Sequence, residues 1–271
     1  MTYIDTHCHI HDSEFKNKFA LSPEEMLTEA KVAGVEKILC VGTSLKSSKQ
    51  AIAFAEQHDS VYAAIALHPH EADRLSEAEF VADMEALSHL KSDKIVAVGE
   101  CGLDYFYHDD ERIRAKQEHL LRQHFELAKN RQLPMIFHVR NAKGSDGQAE
   151  SAFTDFTKLY DFYSLPGVVH SFSATNHELA MCLKRDLLVG LNGIMTFTKD
   201  ENQLDVARHV PLENIVVETD APYLTPKPHR GTINQPKHVT NITQFLAELR
   251  DEPLALVAKQ TTKNAKKLFN L

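Results

Sequence analysis

Two imidazoles stand two residues apart near the start of the chain, in Asp5-Thr6-His7-Cys8-His9, directly after the apolar pair Tyr3-Ile4. If this stretch is a strand, successive side chains alternate, so His7 and His9 leave one face and Cys8 the other. Neutral ring nitrogens at that spacing can close on a divalent cation. Residues of the same chemical kind follow other apolar runs: Glu100 after Ile95-Val96-Ala97-Val98, His138 after Met135-Ile136-Phe137, His170 after Val168-Val169, and Asp220 after Ile215-Val216-Val217. Four imidazoles and two carboxylates buried together would be costly without cations to pair with. Two ions fit these donors better than one, because a single tetrahedral ion cannot take them all and still leave a position for water.

The elements that would gather them are legible as apolar runs alternating with amphipathic stretches. The strand candidates are Tyr3-Ile4, 37–41, 61–66, 95–98, 135–137, 168–169, 187–191 and 215–217. Little polar alternation within them suits strands buried on both faces, as in a parallel sheet covered by helices. Helices are expected from Ser22-Pro23, where Ser22 caps and Pro23 takes the first helical position, and over 45–58, 76–89, 111–131, 150–160, 237–250 and 253–269. Strands each followed by a helix predict an α/β fold, a (β/α)₈ TIM barrel forming a single domain over residues 1–271. No Gly-x-Gly-x-x-Gly turn supports a doubly wound open sheet. In a barrel, the carboxyl ends of the strands share one mouth. That is where Glu100, His138, His170 and Asp220 are expected to meet His7 and His9, and where the irregular stretches 140–148 and 221–236 should lie.

Composition narrows the partners. With 271 residues and 43% apolar content, the chain can bury an extensive core, and 30 Lys plus Arg against 38 Asp plus Glu give a net charge of −8. This argues against a protein that grips nucleic acid through a wide basic surface, so any phosphate recognition must be local. Cys8, Cys40, Cys101 and Cys182 are widely spaced without a Cys-x-x-Cys motif, so they are expected as buried free thiols. The opening residues carry charges and histidines instead of an apolar signal core, and no run approaches the roughly 18 apolar residues of a membrane helix. A cytoplasmic protein without membrane contact or an obligate protein partner is expected.

Six motifs stand in order: Asp5-Thr6-His7-Cys8-His9, Leu67-His68-Pro69-His70, Gly99-Glu100-Cys101-Gly102-Leu103-Asp104-Tyr105, His138-Val139-Arg140, His170-Ser171-Phe172-Ser173 and Glu218-Thr219-Asp220-Ala221-Pro222-Tyr223-Leu224. Together they resemble the TatD family of metal-dependent deoxyribonucleases of the amidohydrolase superfamily. The resemblance implies a two-metal site (Zn, Mn or Mg) bridged by Glu100, with His7, His9 and Asp220 on one ion and His138 and His170 on the other. It implies a DNase, often a 3′–5′ exonuclease, while some related proteins are assigned to aminoacyl-tRNA deacylation. Ser171 and Ala174 stand where the family commonly has Cys and Gly. Thr232-Ile233-Asn234-Gln235-Pro236 lacks a basic residue and a carboxylate common after Gly231.

The expected activity is hydrolysis of DNA phosphodiester bonds by metal-activated water, with Glu100 and Asp220 as catalytic residues and Asp220 as the candidate base. Single-stranded 3′ ends suit a concave mouth without a basic track. Arg140, His229 and Arg230 are candidate phosphate contacts, His68 a substrate or water contact, and Asp104 a residue that orients a neighbouring His or Arg. The run Tyr105-Phe106-Tyr107, with Tyr105 foremost, could stack bases. The competing readings are an ester or amide hydrolase such as a deacylase, and a catalytically silent metal- or nucleic-acid-binding protein.

Overall fold

A computed structural model describes residues 1–12, 22–107, 110–145, 148 and 151–271. The apolar runs form eight parallel strands in sequential order: β1 (Tyr3–Cys8), β2 (Val35–Val41), β3 (Val61–Ile65), β4 (Ile95–Asp104), β5 (Met135–Arg140), β6 (Gly167–Val169), β7 (Leu188–Leu191) and β8 (Ile215–Val217). The sheet curls until β8 returns to β1. There Cys8 bridges Ala221, the His9 N–H donates to the Ala221 carbonyl at 2.7 Å, and the Asp220 N–H donates to the His7 carbonyl at 2.8 Å. The (β/α)₈ barrel is thus nearly closed, with three of the predicted donors, His7, His9 and Asp220, at its seam.

Among the described residues the helices are α1 (Pro23–Val32), α2 (Leu45–Glu56), α3 (Glu71–Arg74), α4 (Glu77–His89), α5 (Glu111–Arg131), α6 (Ala152–Tyr160), α7 (Asn176–Leu183), α8 (Glu201–His209), α9 (Val239–Arg250) and α10 (Leu254–Phe269). Their starts are set by local chemistry. Ser22 accepts from the Glu25 N–H with Pro23 in the first turn of α1, and Ser76 and Glu79 form a reciprocal capping box on α4. Both faces of the strands are buried, which is why they read as continuous apolar runs. Inside the barrel, Ile4, Leu39, Val41, Ala64, Ile136, Val168 and Val216 pack together with Ala265 and Phe269 of α10. The outer faces, through residues such as Ile38, Ile65, Phe137 and Val217, join one cluster with the helices. All four cysteines are buried free thiols.

The structure departs from the sequence reading at several edges. β4 and β5 run past their apolar portions, pairing from Cys101↔Phe137 to Asp104↔Arg140, so Glu100 and His138 lie within strands and not at their ends. Backbone pairing needs no apolar side chain, and the apolar run therefore understates the strand. Gly102 makes the continued pairing possible: its φ is +153°, and a Cβ there would overlap the His138 carbonyl. Helix α6 starts at Ala152 with Ser151 as its cap, while the expected start at Glu150, like Gly147 in the preceding stretch, lies outside the described residues. The segment expected to be helical from Lys237 opens as a 3₁₀ turn over Pro236–His238. Helices α3, α7 and α8 were not among the expected helices. For α7 the signal was present, because Thr175 and Glu178 form a capping box before the buried Leu179 and Cys182. Among the described residues, no helix is long and apolar enough to cross a membrane.

Candidate active site

At the mouth of the barrel lies a cavity of about 650 Å³ whose lining includes His9, His68, Glu100, His138, His170 and Asp220. Glu100 is its centre. Oε2 lies 3.3 Å from His7 Nε2 and 3.9 Å from His9 Nε2, while Oε1 lies 2.6 Å from His138 Nδ1, 3.2 Å from His170 Nε2 and 3.3 Å from His68 Nε2. One carboxylate therefore presents its two oxygens to two sets of imidazoles. Alternation along β1 and one residue past its end does what the spacing required: the His7 and His9 Nε2 atoms are 3.2 Å apart, and the Cys8 thiol points away toward the Leu39 carbonyl. Asp220, held with φ 57° beyond β8, places Oδ1 3.4 Å from His9 Nε2.

Among the described residues three donor groups are tight enough to hold an ion: His7, His9 and Glu100; His7, His170 and Asp220; and His68, Glu100 and His138. His68, expected only as a substrate or water contact, thus also belongs to a potential ligand set. Each of three rings has its far nitrogen engaged. His9 Nδ1 faces the Val41 carbonyl at 2.8 Å, His138 Nε2 faces Asp104 Oδ2 at 3.0 Å, and His170 Nδ1 faces Glu218 Oε1 at 3.0 Å. With an ion bound, these outer nitrogens would keep the ring proton and leave the inward lone pairs to the cation. Among the described residues the buried His7 Nδ1 has no hydrogen-bond partner. Borderline imidazole and hard carboxylate donors in this mixture are compatible with a divalent cation such as Zn, Mn or Mg.

Burial and the neighbouring charges pull the titration of these groups in opposite directions. Burial disfavours charge on Glu100, but His170 and His68 and the bonds from His138 and His170 outweigh it and hold its carboxyl well below the usual range. Burial likewise opposes charge on His138, yet its bonds to Asp104 and Glu100 prevail and lift its pKa to about 9. His170 is raised in the same way by Glu100 and Glu218. For His7 and His68, burial wins: His7 is lowered and His68 falls to about 4. Asp220, its side chain 15% exposed, is partly desolvated, but the hydrogen bond from His9 and the charges of His170 and His7 keep its pKa below the ordinary carboxylate value.

Around this centre the expected substrate contacts divide. Arg140 lines the cavity, with its guanidinium 3.8 Å from the Phe106 ring and 5.2 Å from that of Tyr107. Tyr105 does not fit a stacking role: its ring is buried, its hydroxyl donates to Asp155 at 3.2 Å, and the Arg114 guanidinium lies 4.3 Å from its centre. No face is left for a base. Tyr107, 62% exposed, and Tyr223, 51% exposed, line the mouth instead. His229 and Arg230 are not among the cavity-lining residues: His229 stacks on His238 at 4.5 Å, and Arg230 donates to the Thr225 carbonyl and lies over Phe197. Asp104 has the expected orienting geometry, receiving both His138 and His70. Glu218 was quoted only as part of a motif. Its contact with His170, forty-eight positions away, exists only in the folded chain.

A barrel whose mouth gathers these donors defines a metal-dependent hydrolase, and comparison with known proteins agrees. The chain matches the family described as TatD related DNase over residues 4–270, and it belongs to the TatD family. It is 32% identical over 268 residues, 99% of each chain, to the protein named uncharacterized metal-dependent hydrolase YabD of Bacillus subtilis. It is 33% identical over 265 residues, 94% of this chain and 96% of the other, to the Pectobacterium carotovorum protein named 3′-5′ ssDNA/RNA exonuclease TatD. The crystal structure of YjjV, a TatD homologue from Escherichia coli, matches with a TM-score of 0.85 at 29% identity, covering 99% of this chain and 98% of that one.

Proposed function

We propose that the protein is a nuclease that hydrolyses phosphodiester bonds of single-stranded DNA from the 3′ end, using two divalent ions. The observation that carries this reading is the position of Glu100, whose Oε2 faces His7 and His9 while Oε1 faces His138, His170 and His68. In it, His7, His9 and Asp220 would hold one ion and His138 and His170 the other, with Glu100 shared between the two sets and His68 beside the second. When bound, the ions supply Lewis acidity that neutralises phosphoryl charge and lowers the pKa of water.

The remaining work falls to the chain. Asp104, Glu218 and the Val41 carbonyl hold three rings in the tautomer that leaves the inward nitrogen free. Asp220, kept ionised at neutral pH, accepts the proton of the attacking water. Arg140 meets a phosphate, and Tyr107 and Tyr223 offer faces to unpaired bases. The name of the Pectobacterium relative supports a nucleic-acid substrate with 3′–5′ polarity.

Metal-stripped protein is incubated with single-stranded DNA labelled at its 5′ end, before and after addition of Mg, Mn or Zn, alongside an aminoacyl-tRNA ester. The expected result is metal-dependent shortening from the 3′ end in a ladder, with the ester untouched. Ester cleavage with intact DNA would make the protein a deacylase. Metal binding without cleavage of either would make it a silent binder.

A further inference from the structure

Beside His170 the chain turns through Ser171 at φ 49°, the left-handed region that residues with a Cβ rarely occupy. Such a conformation persists only where its surroundings fix it, and here they do. The Ser171 N–H donates to Glu218 Oε1 at 2.6 Å, the same oxygen that receives His170 Nδ1. The side chain is fixed separately: Asn192 Nδ2 donates to Ser171 Oγ at 2.8 Å, and buried Asn192 is anchored by accepting from the Ile194 N–H at 3.0 Å. An amide donor on Oγ occupies part of its acceptor capacity and turns the hydroxyl hydrogen away from Asn192. Ser171 borders the same cavity as Glu100, His170 and Asp220.

We propose that Ser171 Oγ donates a hydrogen bond to a non-bridging oxygen of the scissile phosphate, with Asn192 as its positioning residue. This rests on the phosphodiesterase reading above and adds to it a group outside the ligand set. A neutral donor already oriented toward developing charge needs no reorientation as the reaction proceeds, so its contribution is felt mainly in the transition state. Asn192 supplies that orientation by donating to Oγ from its own anchored amide.

The test uses full-length protein restored with metal, as wild type, Ser171→Ala, Ser171→Cys (similar shape, weaker donor) and Asn192→Ala. Substrates are single-stranded DNA and bis(4-nitrophenyl) phosphate. Ser171→Ala is expected to lower kcat about 10–100-fold with KM within about twofold, the behaviour of a hydrogen bond to a charged group formed in the transition state. Ser171→Cys and Asn192→Ala should fall between. Metal content, melting temperature and the Kd of metal-stripped protein for single-stranded DNA should stay at wild-type values. Replacing one non-bridging oxygen of the scissile phosphate by sulfur should slow wild type more than Ser171→Ala for one diastereomer. Unchanged kcat in Ser171→Ala overturns the inference, as does a fall in kcat matched by loss of metal and melting temperature in all three variants, which would make Ser171 a turn residue only. If wild type cleaves neither phosphodiester, the parent reading fails and this one with it. If wild type cleaves and Ser171→Ala equals it, only this inference fails.

Discussion

Asp104→Asn is a small change with a large expected consequence for metal binding. Asp104 is 1% exposed and uses Oδ2 to accept from both His138 Nε2 and His70 Nε2 at 3.0 Å, while Oδ1 accepts from the Phe106 N–H at 3.0 Å. Burial opposes its charge, but the bonds from His138 and His70 hold the carboxyl well below its ordinary range. An Asn can keep the bond to Phe106 through its oxygen, and it then points an amide donor at two ring nitrogens that were themselves donors. His138 can relieve the clash by moving its proton to Nδ1, the nitrogen 2.6 Å from Glu100. That proton occupies the lone pair a cation needs. Loss of such an orienting partner costs about 10–100-fold in metal affinity, or about 1.4–2.8 kcal/mol. Competition titration of stripped wild type and variant against a chromogenic chelator measures this directly, with the metal-free melting temperature as a control for folding. A variant that binds every equivalent of metal as tightly as wild type would refute the tautomer argument.

Three further outcomes are expected. Asp220→Asn should fold, keep the metal held by Glu100, His138 and His170, bind DNA, and lose about 10²–10⁴-fold in kcat; near-normal turnover with full metal content would reject Asp220 as the base. Tyr107→Ala and Tyr223→Ala should each weaken binding of single-stranded DNA by about 1–3 kcal/mol, whereas Tyr105→Phe, altering a buried ring, should leave affinity unchanged; anisotropy titrations that reverse this order would restore Tyr105 to the substrate site. The metal-free protein should respond to pH through His138, whose pKa rises from 6.5 to about 9 on folding. Its charged form stabilises the fold fully below about pH 6.5, and that contribution is lost as the pH rises through about 9. Melting curves of stripped wild type should therefore decline across this interval more steeply than those of His138→Gln, and parallel curves would contradict the assignment.

The donors were legible because their chemistry is written in residue type and because each follows a short apolar run of the kind a strand buried on both faces shows. His7, His9, Glu100, His138, His170 and Asp220 needed nothing more to be placed at one mouth. What escaped depended on tertiary contact. Tyr105 and Tyr107 are alike as sequence, and only packing against Asp155 and Arg114 hides the first while leaving the second exposed. His229 and Arg230 sit in a loop whose path sequence pattern does not encode, and the fold spends them on His238, Thr225 and Phe197. The ends of β4 and β5 were set too early because pairing between backbones continues where apolar side chains stop. Helix α7, by contrast, was missed although its capping box was readable.

In the proposed function, the cluster around Glu100 is a hydrolytic centre that works only when loaded with two ions. It is tested most directly by titrating stripped protein with Mn or Zn while measuring bound metal and initial rate on single-stranded DNA in the same samples, for wild type and Glu100→Gln. Wild type should gain full rate only as the second equivalent binds, and Glu100→Gln should bind less metal and stay inactive at saturation. Full rate in wild type with one equivalent or in excess chelator, or wild-type turnover in Glu100→Gln, would contradict it.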